Sequence, residues 1–239
     1  QAEWIARSAE NPGRSAYLRK EFNLESKTIE KARVYVTGLG NYVLFLNGQR
    51  VGNDLLTPGW THYPERLEYQ VYDVKELLTS GANAAGAVLG NMWWSGGLGW
   101  QGGQKYSEGP LKFLMQLQVE FADGSSQTFV SDQSWKWTDS PIWDDHIYDG
   151  EKYDANLELP GWNKTGFDDA SWVSVEPASY EGMLTGPNAP AMRHHEDLMP
   201  VALNEPVSGE YVYDLGQNMV GWAKINIRAD KGDTIVFRY

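Results

Sequence analysis

The chain has 239 residues and a formal charge of −12, from 32 acidic and 20 basic residues, and it has no cysteine. Lack of cysteine excludes a disulfide framework, thiolate metal sites and a cysteine nucleophile, and lack of a cationic footprint argues against nucleic acid or anionic membrane as partners. An apolar content of 41% suits one large domain or two smaller ones, and 25 glycines, 13 tyrosines and 11 tryptophans favour an all-β sandwich over a helical bundle.

The opening Gln1-Ala2-Glu3-Trp4 has no basic region and no apolar core, so no secretory signal is expected there. No apolar run reaches the length that crosses a bilayer. Ala16 to Leu24 reads as the first long strand. Arg33 to Val36 and Tyr42 to Leu46 follow as strands, and Asn47-Gly48 is a hairpin turn signal because both central residues of such a turn need positive φ. Thr57-Pro58-Gly59-Trp60-Thr61 is a loop, and Leu67 to Tyr72 alternates at period two. Asp73 is placed to cap one helical turn over Val74 to Leu78, and Ala84 to Leu89 is a buried strand of small residues. Asn91 to Gly103 is a glycine-rich loop carrying Trp93, Trp94 and Trp100.

Leu111 to Phe121 is the longest apolar strand, and Asp123-Gly124 turns it back into Thr128-Phe129-Val130. Trp135 and Trp137 fall on one face of the next strand, and Trp162 to Trp172 holds a short capped turn around Asp168 and Asp169. Between Pro177 and Pro206 five of the eleven prolines gather without periodicity, which reads as a linker. Strands are expected again at Tyr211 to Tyr213, Ala223 to Ile227 and Thr234 to Phe237. The expected organisation is a β-sandwich over 1–178, a linker over 179–205, and over 206–239 the first strands of a second β-sandwich, since three strands cannot bury two faces.

The stretch Trp143 to Ala155 concentrates acids and aromatics. Asp149 and Glu151, read as alternating strand residues, would point the same way at roughly 7 Å, a spacing compatible with inverting glycoside hydrolysis. The competing and favoured reading has Asp149, Glu151 and Asp154 bonding backbone amides and arginines. Asn53, Asp54 and Asn91 offer the hard oxygens that calcium takes, and Asp144, Asp145 and Asp149 form a second such set; both compete with ordinary turn capping. Trp60, Trp93, Trp94 and Trp100 sit in loops, where an indole stacks on a sugar face or packs as satellite core. The histidines, His62, His146 and the pair His194-His195, lack metal-ligand spacing.

Four motifs in order, Leu56-Thr57-Pro58-Gly59-Trp60-Thr61, Leu89-Gly90-Asn91-Met92-Trp93-Trp94, Tyr148 to Ala155, and Tyr213 to Trp222, give the chain a resemblance to the N-terminal β-sandwich region of bacterial α-L-rhamnosidases, glycoside hydrolase family 78. The resemblance implies a jelly-roll, galactose-binding-like sandwich followed by the start of a second sandwich. It also implies a parent enzyme that removes terminal L-rhamnose with inversion, its acids in a later (α/α)6 barrel, so no catalytic residue is carried over. This chain is expected to support that barrel and to contact carbohydrate through Asn53, Asp54, Trp60, Asn91 and Trp94, with calcium at Asn53 and Asp54. The alternatives are a stand-alone module for rhamnose-containing glycan and a ligand-free scaffold. A periplasmic or extracellular setting is favoured over the cytoplasm.

Overall fold

The computed structural model describes residues 2–8, 14–98, 105–107, 109–230 and 232–238. The chain divides into two compact units, Gln1–His194 and His195–Tyr239.

The first unit is an antiparallel β-sandwich. One sheet runs β16 (Glu176–Ala178), β1 (Trp4–Ala6), β10 (Lys112–Phe121), β3 (Ile29–Leu39), β8 (Gln70–Asp73), with β11 (Ser126–Val130) also on β10. The other runs β15 (Val173–Ser174), β12 (Lys136–Asp139), β2 (Ala16–Leu24), β9 (Gly81–Gly90), β4 (Asn41–Leu46), β5 (Gln49–Arg50). Alternation builds the core between them. Phe113, Met115, Leu117 and Val119 of β10 and Val34 and Val36 of β3 meet Leu18, Leu44, Ala85, Ala87 and Leu89 of the second sheet. Trp135 and Trp137 join that core, as their spacing predicts.

Small pairings complete the unit: β13 (Ile142–His146) with β14 (Gly150–Tyr153), β6 (Asp54–Leu55) with β18 (Met192–Arg193), and β7 (Arg66–Glu68) in parallel with β17 (Met183–Thr185). The segment expected as linker over 179–205 therefore differs from that expectation. Its first half supplies β17 and β18 to the sandwich unit, and the unit boundary falls after His194. Prolines hide such strands because short edge pairings need only two or three ladder bonds, leaving no periodic signal.

The Asn47-Gly48 turn has φ of 51° and 82° and joins β4 to β5. The expected turn after Asp73 is a 3-10 turn, Lys75–Leu77, with Asp73 accepting from the Lys75 amide at 3.1 Å.

In the second unit β19 (Ala202–Val207) pairs with β20 (Glu210–Asp214). The strands expected at 223–227 and 234–237 carry no ladder among the described residues. Apolar alternation marks them for a sheet, but a strand exists only where a neighbour accepts its backbone bonds.

Candidate functional site

β9 ends at Gly90, and the chain turns through Asn91 into a single helical turn, α1 (Met92–Ser95). Two residues of β13 hold that turn. Asp145 is buried, and its Oδ1 accepts from the Asn91 backbone N–H at 3.0 Å and from Asn91 Nδ2 at 2.7 Å, while Oδ2 accepts from the Met92 N–H at 3.3 Å. Asn91 Oδ1 in turn accepts from Ser95 Oγ at 2.8 Å. Burial pushes the Asp145 carboxyl up, against the pull of these donors. A Cβ at Gly90 would stand 2.5 Å from Asp145 Oδ2, so only glycine lets the carboxylate come this close. Met92 sits at φ 36°, a left-handed conformation rare outside glycine that the Asp145 contact helps to hold.

His146 pins the following loop. Its Nδ1 accepts from the Gly97 N–H at 2.7 Å and its Nε2 faces Asp144 Oδ1 at 2.5 Å. A backbone N–H can only donate, so Nδ1 is bare and Nε2 carries the proton.

This anchoring presents Trp93 and Trp94 to an aromatic cluster. Trp93 stacks on Trp60 with ring centroids 6.1 Å apart and planes 16° off parallel. Trp60 is half exposed, and its Nε1 donates to the Tyr106 hydroxyl at 3.1 Å. Tyr63 meets Tyr106 edge-on at 5.1 Å and Trp94 at 5.5 Å. Tyr180 donates its hydroxyl to the Tyr63 carbonyl at 2.7 Å and packs edge-on against Trp4 at 5.6 Å. Tyr63 is buried, which pushes its hydroxyl far up and keeps it neutral. A cleft of about 270 Å³ opens beside Tyr63, Trp94, Tyr106 and Tyr180, with Lys112 and Glu181 also in its wall. Lys112 donates to the Ser179 carbonyl at 2.8 Å, and burial lowers its ammonium.

Aromatic faces with one cation and one carboxylate suit the apolar face and hydroxyl rim of a sugar ring. They do not suit hydrolysis, since Glu181 is the one acid among the described residues of the wall and inversion needs two across the substrate. The acids that composition brought forward lie elsewhere: Glu151 is on β14 opposite Asp145, and Asp149 is in the turn before it, so the two do not alternate along one strand as the disfavoured hydrolytic reading required.

Of the residues singled out from sequence, Trp60 and Trp94 meet in the cluster and Asn91 anchors it from behind. Asn53 is exposed. Asp54 takes Arg193 Nε on Oδ1 at 3.0 Å and the Tyr72 hydroxyl on Oδ2 at 3.2 Å. A carboxylate already holding a guanidinium does not fit a calcium ligand, and among the described residues no three acids or histidines converge for a metal. Trp100 lies outside the described residues. Sequence reasoning missed Tyr63, Tyr106 and Tyr180. They come from three loops with no shared periodicity, and the one available signal was the density of aromatics itself.

Comparison with known proteins matches the alpha-L-rhamnosidase N-terminal domain to residues 27–196 and the bacterial alpha-L-rhamnosidase concanavalin-like domain to residues 204–239. An alpha-L-rhamnosidase of Streptomyces avermitilis is 40% identical over 93% of this chain and 22% of its own length. The crystal structure of a Streptomyces avermitilis alpha-L-rhamnosidase complexed with L-rhamnose aligns with TM-score 0.83 at 40% identity, over 87% of this chain and 20% of that one. That of native alpha-L-rhamnosidase from Aspergillus terreus aligns with TM-score 0.87 at 38% identity, over 93% of this chain and 26% of that one. The chain spans about a quarter of the length of the relatives it matches, 22% in the first case. On the family match over residues 27–196 and the sandwich that carries it, the chain belongs to the alpha-L-rhamnosidase N-terminal domain family.

Proposed function

We propose that this chain is a non-catalytic β-sandwich portion of an α-L-rhamnosidase that steadies a separate catalytic barrel and contacts rhamnose-containing glycan through the Trp60–Tyr63–Trp94–Tyr106 cluster. The observation that carries it is the family match together with a cleft of the described residues that is aromatic and holds a single acid. Hydrolysis of terminal L-rhamnosyl residues with inversion belongs, in this reading, to the parent enzyme. The Asp54–Arg193 pair argues that sugar contact here proceeds without calcium at Asn53 and Asp54.

Two measurements test it. The chain alone is expected to leave p-nitrophenyl α-L-rhamnoside intact, and turnover abolished by Glu151→Gln would overturn the non-catalytic assignment. Calorimetric titration with L-rhamnose is expected to give the same heat with and without calcium. No heat in either condition would reduce the role to scaffold alone.

A further inference from the structure

Asp145 supports the Trp93 half of the stacked pair; the Trp60 half has a support of its own. Trp60 is 51% exposed, and its indole rests on Trp93 and Tyr106. An exposed ring stands where its backbone puts it, and the backbone before Trp60 has few anchors. Pro58 has no N–H to donate. The Gly59 carbonyl accepts from the Tyr63 hydroxyl at a long 3.3 Å. Pro58 is buried, and its carbonyl accepts from Gln70 Nε2 at 3.1 Å.

Gln70 opens β8 at a position that faces the core, where alternation calls for an aliphatic side chain, and it is buried there. A buried amide is tolerated only when both its ends are bonded. Here Oε1 accepts from the Tyr42 hydroxyl at 2.7 Å, and Tyr42 lies on β4 of the opposite sheet. A carbonyl can only accept, so Nε2 must face Pro58; Oε1 then faces Tyr42, whose hydroxyl donates. Tyr42 is tied to the same loop, its N–H donating to the Thr57 carbonyl at 3.0 Å and its carbonyl accepting from Thr57 Oγ1 at 3.0 Å. The loop is thus bonded to both sheets just before the exposed indole, and Gln70 supplies the bond nearest to it that is buried.

We propose that Gln70 is a positioning residue for the sugar contact: by holding the Pro58 carbonyl from inside the sandwich, it sets where the Trp60 indole stands against Trp93. The consequence for sugar rests on the carbohydrate reading, whereas the placing of Trp60 rests on the hydrogen bonds alone.

The test follows the Trp60 Nε1–H resonance of the ¹⁵N-labelled chain, which reports the bond to Tyr106, together with the heat of L-rhamnose binding. Gln70→Leu is expected to shift the Trp60 signal and weaken L-rhamnose roughly tenfold. The signal of core Trp135, which donates to the Val130 carbonyl at 3.1 Å, is expected to stay in place. Gln70→Glu separates positioning from general loss of structure. Its protonated carboxyl donates to Pro58 and accepts from Tyr42 as the amide does, whereas its carboxylate repels the Pro58 carbonyl. Burial favours the protonated form, so this variant should match wild type at about pH 5 and approach Gln70→Leu by about pH 9. If Gln70→Leu does not fold, the glutamate series decides by itself. A Trp60 signal unmoved in Gln70→Leu, Trp60 and Trp135 signals moving together, or a glutamate variant whose departure from wild type ignores pH would overturn the proposal. Should wild type give no heat with L-rhamnose, the carbohydrate reading fails, and the Trp60 shifts alone decide whether Gln70 positions the indole.

Discussion

Replacing Asp145 tests whether the acid-rich hairpin exists to hold the tryptophan loop. In Asp145→Ala the Asn91 N–H, its amide Nδ2 and the Met92 N–H lose their acceptor in a place where Asn91 is 1% exposed. Losing hydrogen bonds to a buried carboxylate costs about 1.5–3 kcal/mol each. Against that stands the release of a carboxylate whose burial already disfavours its charge, so the net loss is about 3 kcal/mol. Asp145→Asn keeps a carbonyl oxygen for the two Asn91 donors and gives up only the long Met92 bond, so its cost is about 1 kcal/mol. The pH dependence has a definite sign. The folded carboxyl is raised above its ordinary 3.8, so its contribution is full below that value and shrinks as pH rises through the folded value. The deficit of Asp145→Asn relative to wild type is therefore largest in acid and smaller at neutrality. Urea unfolding followed by tryptophan fluorescence, repeated between acid and neutral pH, measures both effects. An alanine variant within 0.5 kcal/mol of wild type, or an asparagine deficit that grows with pH, would refute the account.

Three further perturbations have defined outcomes. A Cβ at Gly86 would sit 2.6 Å from Trp162 Cζ3, so Gly86→Ala should cost about 2 kcal/mol alone and under about 1 kcal/mol in a Trp162→Ala background; additive losses in urea unfolding would show the contact does not govern the site. Arg19 is 1% exposed and donates to the Trp162 and Lys164 carbonyls, Glu21 and Asp169, so Arg19→Lys should cost about 2–3 kcal/mol. Burial acts to raise Asp169, but Lys136 and Arg19 outweigh it and hold its carboxyl below 3.8; that stability is present above 3.8 and lost as pH falls through the folded value, and the urea midpoint of Arg19→Lys should fall less steeply in acid than that of wild type. Trp60→Ala removes a half-exposed ring from one stacked pair, so stability should drop by about 1 kcal/mol while heat from L-rhamnose disappears; retained heat would move the sugar contact elsewhere.

The sandwich was legible because its strands bury one face each. Alternation in 111–121 and 16–24 marks β10 and β2 to within a residue, and Asn47-Gly48 marks the one turn whose chemistry is unambiguous. The edges were not legible. β17 and β18 are two or three residues long, largely exposed and set among prolines, and they exist only because β7 and β6 offer backbone partners far away in sequence. The site was half legible for the same reason. Trp60 and Trp94 are conspicuous by residue type, but Tyr63 and Tyr106 join them through edge-on contacts and Tyr180 through a hydrogen bond to the Tyr63 carbonyl, none of which leaves a spacing to read.

Asp54 and Asp145 show what the fold does with acids that stand out in the sequence. Both offer the hard oxygens that calcium takes. In the fold each already has donors: Asp54 has Arg193 and Tyr72, and Asp145 has two backbone amides and a side-chain amide. A carboxylate with filled lone pairs is a clamp. What the Asp145 clamp holds is a non-glycine residue at φ 36° in the turn that delivers Trp93 and Trp94. The strain at Met92 and the carboxylate burial both disfavour that turn, and the three hydrogen bonds offset them. The acids of β13 therefore bear on the proposed sugar contact through geometry, by fixing where two indoles stand, and any change that loosens them should be felt first at Trp60, where Trp93 is the stacking partner.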